Sequence, residues 1–217
     1  TNLAFEAAAA FSVTFLTAYV SLVERGGLRA GETLLVLGAA GGVGITAVEI
    51  AKALGARVIA AASSDEKLAF AKEAGADELV NYTTQPLKDT VKALTDGNGV
   101  DVVYDPVGGE LAQQALRATG WHGRYLVVGF ASGDIPQFPA NIALLKEASI
   151  VGVWWGTWAM KNPKLQMQNM QALAALIDAG KLSPRVTESY PLDDFRAAFS
   201  AITERRARGK VILRMSE

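Results

Sequence analysis

Five apolar or β-branched residues, Thr33-Leu-Leu-Val-Leu37, run into a turn of small residues, Gly38-Ala-Ala-Gly41-Gly42-Val43-Gly44. An apolar helical pattern, Ile45-Thr-Ala-Val-Glu-Ile-Ala51, follows at once. That order is strand, tight turn, helix start. Such a turn lets backbone N–H groups approach a pyrophosphate, with the positive end of the helix dipole aimed at the same anion. In Ala39-x-Gly41-x-x-Gly44, alanine stands where the usual fingerprint has its first glycine, and Gly38 sits just ahead of it. Alanine serves there if the position needs no positive φ. Gly41 is then the point of closest approach to a dinucleotide, and Gly44 the point where helix packs on strand.

The alternation of strand and helix continues. Strands are predicted at 33–38, 57–62, 78–81, 100–105, 123–129 and 149–154, and helices at 43–54, 65–74, 85–95, 109–118 and 140–147. Strands and helices alternating in this way make an α/β fold, a doubly wound six-stranded parallel sheet covered on both faces. Its ligand lies across the carboxyl edge, where the strand order reverses. The predicted carboxyl ends suit that role: Tyr104-Asp-Pro-Val-Gly108-Gly109 and Gly129-Phe130-Ala131-Ser132-Gly133 both bring glycine to the edge.

About 20 residues beyond the turn, an acid at the end of the second strand would bind a ribose 2′-hydroxyl. The second strand, Arg57-Val-Ile-Ala-Ala-Ala62, instead runs into Ser63-Ser-Asp-Glu-Lys67. Two hydroxyls and a lysine offer donors to a 2′-phosphate, which a carboxylate would repel, so NADPH is preferred over NADH. Ser63-x-x-Glu66 also reads as a capping box for the next helix.

Composition narrows the classes. Half of the 217 residues are hydrophobic and 20% are charged, a folding composition, and the net charge of −1 gives no basic field for nucleic acid. The basic run Arg205-Arg-Ala-Arg208-Gly-Lys210 reads as a solvated helix end. With no cysteine, thiolate metal sites and disulfides are excluded within the chain. The single histidine, His122, sits in the Gly120-Trp-His-Gly123 stretch and reads as a loop residue rather than a base. The apolar stretch from Ala7 to Val20 is short for a membrane span and reads as a buried helix.

The tail differs in kind. A helical stripe covers 164–179, a second helix follows Pro191 with Asp193 or Asp194 as its cap, and Lys210-Val-Ile-Leu-Arg214 reads as a strand with no evident partner.

Taken in order, Ala39-Ala-Gly-Gly-Val-Gly44, Gly55-Ala56, Val100-Asp-Val-Val-Tyr-Asp105 and Gly209-Lys-Val-Ile-Leu213 resemble the medium-chain dehydrogenase/reductase superfamily. Within it, the chain resembles the zinc-free, zeta-crystallin-like quinone oxidoreductase branch, over essentially its whole length. The resemblance implies an NADPH-binding Rossmann domain over 1–160, including a leading helix at 2–24. Residues 161–217 would then complete a GroES-like catalytic domain whose N-terminal part is absent, leaving the strand at 210–214 unpaired. Zinc alcohol dehydrogenases place a cysteine ligand shortly before a Thr-x-Tyr; Thr17-Ala-Tyr19 matches that Thr-x-Tyr and the cysteine position falls at Val13, so no zinc is expected.

Carried over by residue, the resemblance assigns the pyrophosphate loop to Ala40, Gly41, Gly42 and Val43. It assigns the adenosine and 2′-phosphate contacts to Ser63, Lys67, Tyr82 and Arg205. The nicotinamide end falls to Gly129, Phe130, Ala131, Ser132, Val153 and Trp154, and Gly108, at the end of the fourth strand, is a further candidate cofactor contact. The activity implied is reduction of a quinone by NADPH in the cytoplasm. Reduction of an activated C=C bond (enone, enal or enoyl-CoA) and a non-catalytic NADPH-binding module stand as alternatives. Tyr19, Tyr104 and Asp105 are the nominal proton donors, each more often structural at such places, and no catalytic residue is assigned. A homodimer through the apolar strand at 149–154 is expected, with a small electrophile as partner and neither nucleic acid nor membrane.

Overall fold

The computed structural model describes residues 3–215. Phe5–Tyr19 (α1) continues through a π-type turn, Val20–Arg25, so the leading helix is one segment; its expected start at residue 2 lies outside the described residues. By length and composition this segment would cross a membrane, yet half of it is buried, with Phe15, Leu16, Ala18 and Leu22 in the core.

Six parallel strands follow: Thr33–Leu37 (β1), Arg57–Ala62 (β2), Glu78–Asn81 (β3), Val100–Asp105 (β4), Thr119–Val127 (β5) and Ser149–Gly152 (β6). Their order is β3-β2-β1-β4-β5-β6, so the reversal lies between β1 and β4. Alternation along each strand divides the core in two. Leu34, Val36, Val58 and Ala60 face Gly42–Ala53 (α2), α1 and part of Asp65–Glu73 (α3). Leu35, Leu37, Ile59 and Ala61 face Leu87–Leu94 (α4) and Gly109–Ala118 (α5). With both faces covered, β1 reads as a continuous apolar run rather than an alternating one.

Two boundaries move. β5 begins at Thr119, before the expected 123, and a register shift between Val100 and Val102 accommodates the added residues. Its Gly-Trp-His-Gly stretch read as a loop, and His122 does take a loop-like φ of 56° there. β6 ends at Gly152, so Val153 and Trp154 leave the sheet. Ala140–Lys146 (α6) precedes β6, and a short helix, Trp155–Lys161 (α7), follows it. Pro163–Asp178 (α8) comes next and buries Leu173 in the core shared with β1 and α2, so residues on both sides of position 160 pack together.

The expected lack of a partner for 210–214 is overturned. Lys210–Arg214 (β8) pairs in parallel with Val186–Pro191 (β7), and the connection runs through Leu192–Asp194, a single 3₁₀ turn, and Phe195–Thr203 (α9). Asp194 precedes α9 as expected but makes no side-chain cap. β7 escaped the sequence reading because Val-Thr-Glu-Ser-Tyr-Pro is half-exposed, mostly polar and ends in proline.

Candidate functional site

The glycine turn is built as its composition requires. The one positive φ in it belongs to Gly38, at 58°, and Ala39 is spared, which is why alanine is tolerated there. Gly41 caps α2 in extended conformation, its N–H donating to the Gly38 carbonyl at 2.9 Å, and the first intrahelical bond runs from the Ile45 N–H to the Gly41 carbonyl at 2.8 Å. Between them, the N–H groups of Gly42, Val43 and Gly44 are the first-turn donors that a helix cannot satisfy internally. No side chain caps them and no acid stands in the first turn. Gly44 is glycine for packing: a Cβ there would overlap the Gly38 carbonyl and lie 2.9 Å from the Ala39 Cα. Gly42 is glycine because the C-terminal strand passes over it, its Cβ position being 3.2 Å from Lys210 Cδ and 3.3 Å from the Gly209 carbonyl. The Gly209 N–H in turn donates to the Ala40 carbonyl at 2.8 Å.

Beside this turn, at the end of β2, the residues assigned to the 2′-phosphate come together. Lys67 Nζ lies 3.3 Å from Ser63 Oγ and donates to the Arg205 carbonyl at 2.9 Å. The Tyr82 N–H donates to the Ala62 carbonyl at 3.2 Å, which holds the end of β3 against the end of β2. The helix cap is Ser64, whose Oγ accepts from the Lys67 N–H at 3.3 Å, so the capping box expected at Ser63 and Glu66 does not form and Ser63 is left to face Lys67. The basic run read as a solvated helix end lines a groove of about 470 Å³ here, formed with Lys67 and Glu66. Within it Arg208 pairs with Glu66 at 3.0 Å and Arg206 with Glu204 at 2.7 Å.

Arg205 holds φ at 57°, just past the end of α9, a position normally given to glycine. The arginine therefore sits there at a local backbone cost. Arg205→Gly is expected to stabilise the fold by up to about 1 kcal/mol, the left-handed cost relieved less the freedom glycine adds to the unfolded chain, while weakening NADPH binding and leaving NADH binding unchanged. Thermal unfolding and cofactor titration of the same sample check both.

The other candidates lie beyond the strand reversal. The N–H groups of Gly129, Ala131 and Ser132 donate to the carbonyls of Asp105, Pro106 and Val107 at 3.3, 3.0 and 2.9 Å, so this loop is locked to the end of β4. Gly108, at φ 72°, lies beneath it, with Phe130 Cδ1 and the Asp134 carbonyl close to where its Cβ would be. Phe130 is 41% exposed and Trp154 76%, whereas Val153 is buried. Trp155 turns inward instead, its Nε1 donating to Gln166 Oε1 at 3.2 Å.

Along the carboxyl edge the order is Tyr82, Ser63, the glycine turn, Gly108, Gly129 and Val153, one strand after another. At the usual strand spacing, β2 to β5 spans roughly 14 Å. The edge can thus hold an extended dinucleotide with its phosphate-bearing adenosine on β2 and its ring over β5.

None of the nominal proton donors is placed to act. Tyr104 is fully buried on β4, and burial pushes its hydroxyl pKa well up. Asp105, 1% exposed, accepts from the Val107 and Gly108 N–H groups at 2.7 and 2.9 Å and from the Tyr125 hydroxyl at 2.6 Å. Burial raises its pKa, and its task is to tie β4 to β5. Tyr19 is half-buried on α1, its pKa raised by burial and by Glu24. His122 lies at the opposite edge of the sheet, 2.8 Å from Glu147. Among the described residues no three His, Asp or Glu side chains gather as a metal site, and Val13 stands exposed on α1.

Sequence reading missed Glu49 and Arg185. Glu49, 5% exposed on α2, accepts from Arg185 Nε at 2.7 Å; burial raises its carboxyl pKa and Arg185 opposes that rise. An acid at a helix position whose neighbours Val48, Ile50 and Ala51 are core was the available signal.

The fold and this edge define a dinucleotide-binding oxidoreductase domain. The family described as zinc-binding dehydrogenase matches residues 42–175, and the chain belongs to that family, within the medium-chain dehydrogenase/reductase superfamily. It is 41% identical over 214 residues to a quinone oxidoreductase-like protein 2 homolog of Nematostella vectensis, spanning 98% of this chain and 58% of that protein. The chain thus spans less than two thirds of that relative. The solved quinone oxidoreductase of Escherichia coli complexed with NADPH superposes with a TM-score of 0.90 at 29% identity, over 97% of this chain and 65% of that one. A solved 2-haloacrylate reductase superposes at 0.89 with 28% identity, over 99% and 67%.

Proposed function

We propose that this chain is the cofactor-binding part of an NADPH-dependent quinone reductase. The observation that carries the cofactor choice is the meeting of Ser63, Lys67 and the Arg205 turn at the end of β2, with Ser63 in the place of a ribose-binding carboxylate. Lys67 and Arg205 would neutralise the 2′-phosphate, and the free N–H groups of Gly42, Val43 and Gly44 would hold the pyrophosphate. Phe130 and Trp154 present apolar surface where the nicotinamide would lie. NADPH supplies the hydride; the chain positions it.

The 2-haloacrylate reductase among the structural neighbours favours a second reading, reduction of an activated C=C bond. NADPH oxidation by this chain and by a longer relative, with 1,2-naphthoquinone and with an enone, separates the two. Quinone turnover by the relative and little by this chain is the expected outcome, because an acceptor must be held against the donor at about 3–3.5 Å. No turnover of either acceptor by the relative would contradict the reading.

We further propose a homodimer through β6. Among the described residues it pairs only with β5, and Ile150 is 39% exposed. The Val153 N–H donates inward to Val127, so alternation turns the N–H groups of Ile150 and Gly152 to the open edge. An open strand edge of this kind is a template for pairing with a second chain. Light scattering at tens of micromolar is expected to give a dimer, and Ile150→Pro a monomer of unchanged fold. A wild-type monomer would contradict this.

A further inference from the structure

The turn that carries Arg205 and Arg208 belongs to the β7–β8 unit, not to the sheet that carries Ser63 and Lys67. Something must register one against the other. Surface contacts span the gap, Lys67 to the Arg205 carbonyl and Arg208 to Glu66. Both are solvent-exposed or half-exposed and contribute little to holding the two units in place.

The connection that reaches a buried partner is the half-buried Arg185, the residue immediately before β7. Its Nε donates to Glu49 Oε1 on α2 at 2.7 Å, its Nη2 donates to the Glu73 carbonyl at the end of α3 at 3.0 Å, and its guanidinium lies 5.6 Å from the centre of the Phe70 ring. Three points on two helices of the dinucleotide-binding sheet therefore hold one side chain. The same residue's carbonyl accepts from the Lys210 N–H at 3.0 Å, fixing the start of β8. Gly209, between Lys210 and Arg208, lies so close that a Cβ on it would come within 2.7 Å of the Arg185 carbonyl. From Gly209 the backbone reaches the Ala40 carbonyl in the glycine turn. A continuous path thus joins Glu49 to Arg185, Arg185 to Gly209 and Lys210, and these to the arginine turn and the glycine turn.

We propose that Glu49 and Arg185 are positioning residues that hold the arginine turn, 204–208, against the end of β2 and so set the chain's preference for a 2′-phosphorylated dinucleotide. The inference rests on the NADPH reading above. Neither side chain stands among the residues assigned to the cofactor; each acts through Arg205. The pair does what a surface contact cannot, because a buried acid paired to a guanidinium held at three points has one geometry.

The test compares NADPH and NADH binding by the wild-type chain, by Glu49→Gln, and by Glu49→Gln with Arg185→Met. The double variant removes both charges, so neither is left buried alone, and it keeps the test alive if the single variant fails to fold. The expected result is a loss of NADPH affinity on the order of tenfold, typical of coupling between linked sites, with NADH affinity held within about twofold. Trypsin should also cut faster at Arg205, Arg206 and Arg208 in the variants. A wild-type preference for NADPH that persists in both variants overturns the inference alone. Equal losses for both dinucleotides overturn it too, since that is what a merely structural role would do. A wild-type chain that binds NADH as tightly as NADPH overturns the cofactor reading, and this inference with it.

Discussion

Gly44→Ala is expected to lower the stability of this domain by about 3 kcal/mol or more, the upper part of the range for forcing an added carbon into a filled space. The reason is local and severe. The new Cβ would overlap the Gly38 carbonyl and press on the Ala39 Cα at 2.9 Å, and both obstacles are backbone. Neither can rotate away as a side chain would. Relief requires α2 to lift from the turn, and α2 carries Ile45, Ala47, Val48, Ile50 and Ala51 into the core. For a chain of this size the loss corresponds to a fall in melting temperature of roughly 6–12 °C. Calorimetry showing a change under about 2 °C would mean that the helix does not sit where the structure puts it.

Gly41→Val, three residues earlier, is expected to leave the fold nearly intact and remove dinucleotide binding. Gly41 has φ −75° and ψ 167°, a conformation open to any residue. A Cβ there meets only the Gly38 carbonyl, at 3.3 Å, so the stability cost should stay near 1 kcal/mol. The branched carbons would instead stand over the N-terminus of α2, where the N–H groups of Gly42, Val43 and Gly44 are otherwise free. Losing two charge-assisted bonds at about 1.5–3 kcal/mol each amounts to at least a hundredfold in affinity. Titration that finds binding within a few-fold of wild type, with melting unchanged, would move the pyrophosphate away from this turn. The two glycines stand one helical turn apart and separate fold from binding.

The sheet and its carboxyl edge were legible because each strand and helix obeys its own periodicity, and because small residues mark the turns where a backbone must come close. In the turn at 38–44 the sequence marked Ala39 as tolerable only without a positive φ, and the structure puts that φ on Gly38. What escaped was nonlocal or half-exposed. β7 is half-exposed, polar at alternate positions and ends in Pro191, so it lacks the apolar run by which a buried strand announces itself. Missing β7 left β8 without a partner, an error about pairing rather than about the strand. Ser64 took the capping role given to Ser63, a difference of one residue that only backbone dihedrals decide. Glu49 and Arg185 are 136 residues apart, and no local pattern joins them. The expected contact residues Ser63, Lys67 and Arg205 lie together through Lys67 Nζ and the Arg205 carbonyl, and binding measurements test their role.

The most direct check is a side-by-side titration of the chain with NADPH and NADH, followed by nicotinamide fluorescence. If Lys67 and Arg205 receive a 2′-phosphate, NADPH binds more tightly by about tenfold or more, the worth of one charge-assisted contact. Lys67→Ala then erases most of the difference. Equal affinity for the two dinucleotides, or a difference untouched by Lys67→Ala, would contradict the assignment of this edge.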